Sequence, residues 1–147
     1  MSRWFPHVTV AAIAIRDGRY LVVEESHKQK LVINQPAGHV EQGETLSEAV
    51  VREVQEETGW EFEPKGICGI FQFVPENGET YLRFTFFGDL ISYDPEQPLD
   101  EGISGINWLN KQQLKESKIP LRSQAVLASV EQYELGTRLP LDIVNNL

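Results

Sequence analysis

Residues 8–15 form an apolar, partly β-branched run, and a second apolar run begins at Tyr20 after Asp17-Gly18, a dipeptide that favours tight hairpin turns. The pattern predicts a strand, a turn and a returning strand over 20–25. A third short strand is expected over 31–35, where Pro36 stops it. Residues 36–43 are turn-rich, and the period then changes. Thr45 followed by Glu48 is a capping-box pattern, and Gly59 supplies a left-handed stop, so a helix is expected over 45–58. Strands are expected over 66–74 and 80–89, joined by a turn at Pro75-Glu-Asn-Gly78. In the second of these, Leu82, Phe84 and Phe86 alternate with Tyr81, Arg83 and Thr85, which gives the strand two different faces. Residues 94–105 read as a polar loop, 106–109 as a last strand, 110–118 as a short helix and 123–136 as another, with Val126, Leu127, Val130 and Tyr133 inward. No repeat or linker interrupts this order. A single mixed α/β (α+β) domain spanning residues 1–147 is expected.

Composition narrows the class of function. Of 147 residues, 22 are Asp or Glu and 13 are Lys or Arg, a net charge of −9. That balance excludes nucleic-acid binding driven by net charge, but not an anionic substrate, because carboxylate-held cations reverse the local sign. Cys68 is the single cysteine, which suits a reducing compartment and the role of a small core residue. Residues 8–15 lack a cleavage site before the Asp17-Gly18 turn, and no apolar run approaches the roughly 20 residues of a membrane span. A cytoplasmic protein without membrane contact is expected.

Candidate chemistry lies on the 45–58 helix. At about 100° per residue, Leu46, Val50 and Val54 share one arc that should face the core. Glu53 and Glu57 fall inside or beside that arc, and Glu56 lies on the same side. A merely solvated charge run would put its acids opposite the apolar stripe. Clustered, partly buried carboxylates repel one another unless a cation compensates. Arg52 offsets Glu56 at i+4, which leaves Glu53 and Glu57 without a partner on the helix. Their hard oxygens suit Mg²⁺ or Mn²⁺ rather than zinc, although distant basic residues are an alternative source of compensation.

Gly38, five residues, Glu44, seven residues, then Arg52-Glu53-Val54-Gln55-Glu56-Glu57-Thr58-Gly59 resembles the Nudix box of the MutT-like Nudix hydrolases, here over residues 38–60. Trp60 departs from the pattern, where the family usually has an aliphatic residue. The resemblance implies an α/β/α sandwich with a mixed central sheet and hydrolysis of a nucleoside diphosphate linked to another group. It further implies that Glu53, Glu56, Glu57 and the Gly38 carbonyl bind Mg²⁺, with Mn²⁺ a possible substitute. Glu44 and Arg52 would hold loop and helix in register as part of the catalytic set, and Glu53, then Glu57, is the expected general base. A ligand outside the box is common in the family, and Glu101, in the loop carrying Asp100-Glu101, is the candidate.

Phe5-Pro6-His7-Val8-Thr9-Val10-Ala11, Asn34-Gln-Pro-Ala-Gly-His39, Leu82-Arg-Phe84, Leu121-Arg-Ser123 and Arg138-Leu-Pro-Leu141 resemble the NudJ-type phosphatases. That resemblance implies phosphate release from nucleoside tri- and diphosphates and from a pyrimidine pyrophosphate. An ADP-ribose or nucleotide-sugar pyrophosphatase is the enzymatic alternative, Pro75 standing about where such enzymes carry a proline. A catalytically silent nucleotide sensor is the other. His39 and Arg83 are candidate substrate contacts, against a structural histidine and a solvent-side cation. Phe5, Trp60 and Tyr81 are candidates to stack on a base or to serve as core. Lys28 and Lys30 read as solvated loop charges. The expected partner is a small phosphoanhydride and not a nucleic-acid polymer; oligomeric state stays open. Six acids against Arg52 alone put −5 of the −9 between residues 38 and 60.

Overall fold

The computed structural model describes residues 3–147. Its elements run β1 (His7–Ile13), β2 (Ile15–Arg16), β3 (Arg19–His27), β4 (Lys30–Asn34), β5 (Ala37–His39), α1 (Leu46–Thr58), β6 (Trp60–Phe73), β7 (Tyr81–Tyr93), β8 (Ile103–Leu109), α2 (Lys111–Glu116), α3 (Gln124–Glu134) and β9 (Leu139–Pro140), followed by a 3-10 turn at Leu141–Ile143. A five-stranded mixed sheet has the order β5-β1-β7-β6-β9, in which β1 and β7 are parallel and the other pairs antiparallel. A second, antiparallel sheet pairs β3 with β2, β4 and β8. Asp17 and Gly18 both take positive φ, the geometry of the expected tight turn between β2 and β3.

Alternation along β1 sends its side chains to two cores. Val10 and Ala12 join Ala49, Val50 and Val54 of α1 together with Phe62 and Phe86. Ile13 joins Val22, Ile33 and Cys68 against Leu114 of α2 and Val130 of α3. The α3 side is pinned by polar contacts as well. Thr85 and Ser129 hydroxyls lie 3.0 Å apart, and Gln35 Nε2 donates to the Val126 carbonyl at 2.7 Å.

Several boundaries differ from expectation. The turn-rich 36–43 segment contains β5, which forms because its backbone pairs with β1, opposite Val10 at Gly38. The β6–β7 hairpin is longer than its apolar signal: β6 begins at Trp60, directly after the helix stop, and β7 continues to Tyr93. β8 starts at Ile103, inside the stretch expected to be loop, where β3 supplies its ladder. Trp60 is 7% exposed, stacks on Tyr93 at 4.9 Å and carries the Arg16 guanidinium over its ring at 4.8 Å. It closes the end of the helix and is not available to a base. No helix among the described residues is long and apolar enough to cross a membrane.

Candidate active site

Helix α1 is held in register at both ends. Thr45 Oγ1 accepts from the Glu48 N–H, and Glu48 Oε1 accepts from the Thr45 N–H, each at 3.0 Å. At the other end Gly59 has φ 78°, and a β-carbon there would stand 2.7 Å from the Asp94 carbonyl oxygen, so only glycine closes the helix.

Between β5 and α1, one arginine organises the loop. Arg52 Nε donates to Glu44 Oε2 at 2.6 Å and Nη2 to Glu44 Oε1 at 3.0 Å, a bidentate fork. Glu44 Oε1 also accepts from the Glu41 N–H, and Arg52 Nη2 donates to the His39 carbonyl at 3.1 Å. Arg52 Nη1 donates to Glu53 Oε1 at 2.8 Å and to Glu56 Oε2 at 3.2 Å. Glu53 therefore does have a partner on the helix, contrary to expectation. Adjacent helical positions diverge, but the Arg52 fork is anchored by Glu44 where its long side chain also meets the neighbouring carboxylate.

The apolar arc buries two acids as the helical wheel requires: Glu53 is 8% exposed and Glu57 7%. Glu53 packs against the backbone of Gly38, where a β-carbon would lie 2.3 Å from its Cδ and Oε1. Glu57 Oε1 accepts from the Ala37 N–H at 2.9 Å. Burial pushes the Glu53 carboxyl up to about 7, with Arg52 pulling it down and Glu56 and Asp100 adding to the rise. Burial likewise pushes Glu57 up to about 9, opposed by the Ala37 N–H and reinforced by Glu53, Glu25 and Asp100.

Strand pairing decides which backbone groups face these acids. The Pro36 carbonyl accepts from the Ala12 N–H and the Val40 N–H donates to the Val8 carbonyl, so the pairing between them at Gly38 turns its N–H and C=O toward Val10. The peptide groups of Ala37 and His39 face the helix instead, as their bonds to Glu57 and Arg52 demonstrate. The expected Gly38 carbonyl is thus committed to the ladder, and the Ala37 carbonyl is the one on the helix side.

One acid comes from outside the box. Oxygens of Glu53, Glu56 and Asp100 lie within 4.8 Å of one another, the one such acid or imidazole group among the described residues. Asp100 N donates to the Glu56 carbonyl at 2.9 Å, and Gly102 at φ 92° completes the turn that brings Asp100 back to the helix. Asp100, and not the expected Glu101, joins the cluster; Glu101 is exposed and outside it. Glu57, whose Oε1 accepts from the Ala37 N–H, is not one of the three. An all-oxygen set whose buried member, Glu53, is pushed toward the protonated form and packed where glycine alone fits, suits a hard divalent cation.

A cavity lies on the α3 side of β5. His39 faces it, its Nε2 2.9 Å from His7 Nδ1, while His7 Nε2 meets Glu79 at 2.5 Å. Burial lowers the His39 pKa, and His7 adds to the effect. Arg83 is not a solvent-side cation: it is 4% exposed at the cavity floor, because Tyr81, Arg83 and Thr85 share the face that α3 covers. Tyr81 is stacked on His7 at 4.4 Å and on Phe73 at 5.7 Å, and Phe5 is exposed. Asn34 and Arg122, which also line this cavity, carry no local chemical signal in the sequence; Arg122 appears there only within the Leu121-Arg-Ser123 segment.

The sequence profile of the NUDIX domain matches residues 5–130. The chain belongs to the Nudix hydrolases. Phosphatase NudJ of Escherichia coli O1:K1 is 38% identical over 141 residues, covering 96% of this chain and 92% of that protein. A NUDIX hydrolase from Nitrosomonas europaea superposes with a TM-score of 0.94 at 42% identity, covering 97% and 98% of the two chains. A MutT NUDIX hydrolase from Burkholderia pseudomallei gives 0.73 at 25% identity, over 87% and 98%. This Nudix chain is a hydrolase of phosphorus-containing anhydrides, of a family that generally uses a divalent metal.

Proposed function

We propose that this Nudix hydrolase is Mg²⁺-dependent and releases orthophosphate from nucleoside tri- or diphosphates, or from a pyrimidine pyrophosphate. The carboxylate cluster of Glu53, Glu56 and Asp100 beside Gly38 supports the metal dependence. Similarity to Phosphatase NudJ along nearly the whole chain supports phosphate as the product.

In this reading Glu53, Glu56 and Asp100 hold the cation, with the Ala37 carbonyl as a further oxygen on the same edge. The cation, when bound, supplies charge neutralisation at the phosphoryl oxygens and a more acidic water. Arg52 keeps Glu53 and Glu56 aimed by holding the Glu44 loop and the helix as one piece. Glu53 is engaged by Arg52 and by the cation group, so Glu57, ionised once the cation's charge offsets its burial, would take the proton of the attacking water on the oxygen Ala37 does not use. Cytoplasmic location and a monomeric small-molecule substrate belong to the same proposal.

A substrate panel in Mg²⁺ with identified products tests it. Orthophosphate from nucleoside di- and triphosphates is the expected result. Pyrophosphate with a monophosphate, or AMP with ribose phosphate from ADP-ribose, would replace this reading with that of a pyrophosphatase, and no turnover of any kind would indicate a sensor.

A further inference from the structure

Arg83 has more donors than partners. Its Nη2 donates to Gln35 Oε1 at 2.5 Å, and its two terminal nitrogens reach Asn34 Oδ1 only at 3.4 and 3.5 Å. Its Nε, among the described residues, is the buried side-chain nitrogen or oxygen without any partner. Both acceptors are neutral amides. The nearby carboxylate of Glu25 is taken by Asn34 Nδ2 at 3.2 Å and by Arg122 at 3.6 Å. A buried guanidinium in that state is costly and gains from an incoming acceptor.

The strand register gives the space a shape. His39, Thr9 and Arg83 stand side by side across β5, β1 and β7, with the small Thr9 in the middle. Two strand spacings, about 10 Å, separate the larger neighbours. Phe73 and Tyr81 form the adjoining wall of this cavity, whose volume is about 200 Å³. It shares Pro75, Arg122 and Ser123 with a wider outer groove of about 940 Å³. Ala37, Gly38 and His39 line the cavity too, so a single strand separates it from the carboxylate cluster. Aromatic walls around an arginine edge suit a flat ring better than a tetrahedral phosphate.

We propose that Arg83 is a specificity-determining residue that reads the heterocycle of the substrate, its guanidinium pairing with two adjacent ring acceptors over the slot at Thr9. Guanine offers such a pair in O6 and N7, and cytosine in O2 and N3; adenine N1 and N7 each lie beside the N6 amino donor and uracil O2 and O4 each beside N3–H, so neither ring offers two adjacent acceptors. The assignment deepens the hydrolase reading and rests on it for the identity of the ring as part of a nucleotide.

The test is calorimetric titration of the wild-type protein and of Arg83→Lys, which keeps the charge and loses the fork, with GMP, CMP, AMP and UMP. GMP and CMP should bind the wild type about tenfold more tightly than AMP and UMP, and the preference should vanish in the variant. Equal affinities in the wild type, or a preference that survives in a folded Arg83→Lys, would overturn the inference. Should the variant fail to fold, the wild-type ranking alone decides. In Mg²⁺, kcat/KM for GDP over ADP should fall about tenfold in the variant. An equal loss on inorganic tripolyphosphate would put Arg83 on phosphate and also overturn it. Selective GMP binding without phosphate release from GDP would leave the inference standing and remove the hydrolase reading, so the two failures are distinguishable.

Discussion

The Glu53 carboxylate rests directly on the backbone of Gly38, so closely that a β-carbon at residue 38 would stand 2.3 Å from Glu53 Cδ. Gly38→Ala must therefore push Glu53 off its place beside Glu56 and Asp100. Displacement of a reacting or ligating group by about 1 Å costs on the order of a hundredfold in rate. Steady-state phosphate release should fall by about that factor while circular dichroism stays native; wild-type turnover would show that the contact does not position Glu53.

Arg52 links the loop, β5 and three carboxylates through charge-assisted hydrogen bonds. Arg52→Ala leaves Glu44 and Glu53 facing each other's charge without it. Urea unfolding should report a loss of about 2 kcal/mol, the scale of a hydrogen bond to a charged group. Arg52→Lys should recover only part of this, since an ammonium cannot replace the fork.

Asp100, and not Glu101, shares the carboxylate cluster. Asp100→Asn should raise the Mg²⁺ or Mn²⁺ concentration needed for half-maximal activity about tenfold or more. Glu101→Gln should leave that concentration where it is in the wild type. The reverse ranking in a metal titration would return the sequence-based choice of Glu101.

Burial lifts Glu53 to about 7 and Glu57 to about 9 from an ordinary 4.5, so the folded chain holds their protons more tightly than the unfolded chain does. Stability from this source is full below about pH 4.5 and declines as pH rises through each folded value, by up to about 1.4 kcal/mol per pH unit and group. His27 and His39, both lowered, act in the opposite sense at lower pH, which makes pH 7 to 9 the cleanest window. Tm in EDTA should fall across it, and the rise in Tm on adding Mg²⁺ should grow. A Tm that stays level in EDTA would mean that Glu57 is ionised in the folded chain.

Helix α1 was readable because its signals are local: Thr45 and Glu48 cap each other, Gly59 ends it, and the angular positions of Glu53 and Glu57 relative to Val50 and Val54 follow from helical geometry. What escaped the sequence depends on distant pairing. Residues 37–39 carry turn chemistry and become a strand only because β1 lies beside them. That same pairing turns the Gly38 carbonyl inward, a matter of ladder phase that no residue identity encodes. Asp100 and Glu101 are chemically alike, and only the turn through Gly102 separates them. Arg83 looked like any alternating cation on a strand, since its partners Asn34 and Gln35 lie 49 and 48 residues earlier.

On the proposed function, the buried carboxylates on α1 perform hydrolysis rather than support the fold. Glu57→Gln tests it most directly, because the amide oxygen can still accept from the Ala37 N–H while the basic carboxylate is gone. Phosphate release from nucleoside diphosphates in Mg²⁺ should drop about a hundredfold or more with Tm in EDTA undiminished. Release at the wild-type rate in that variant would mean that Glu57 takes no part in hydrolysis.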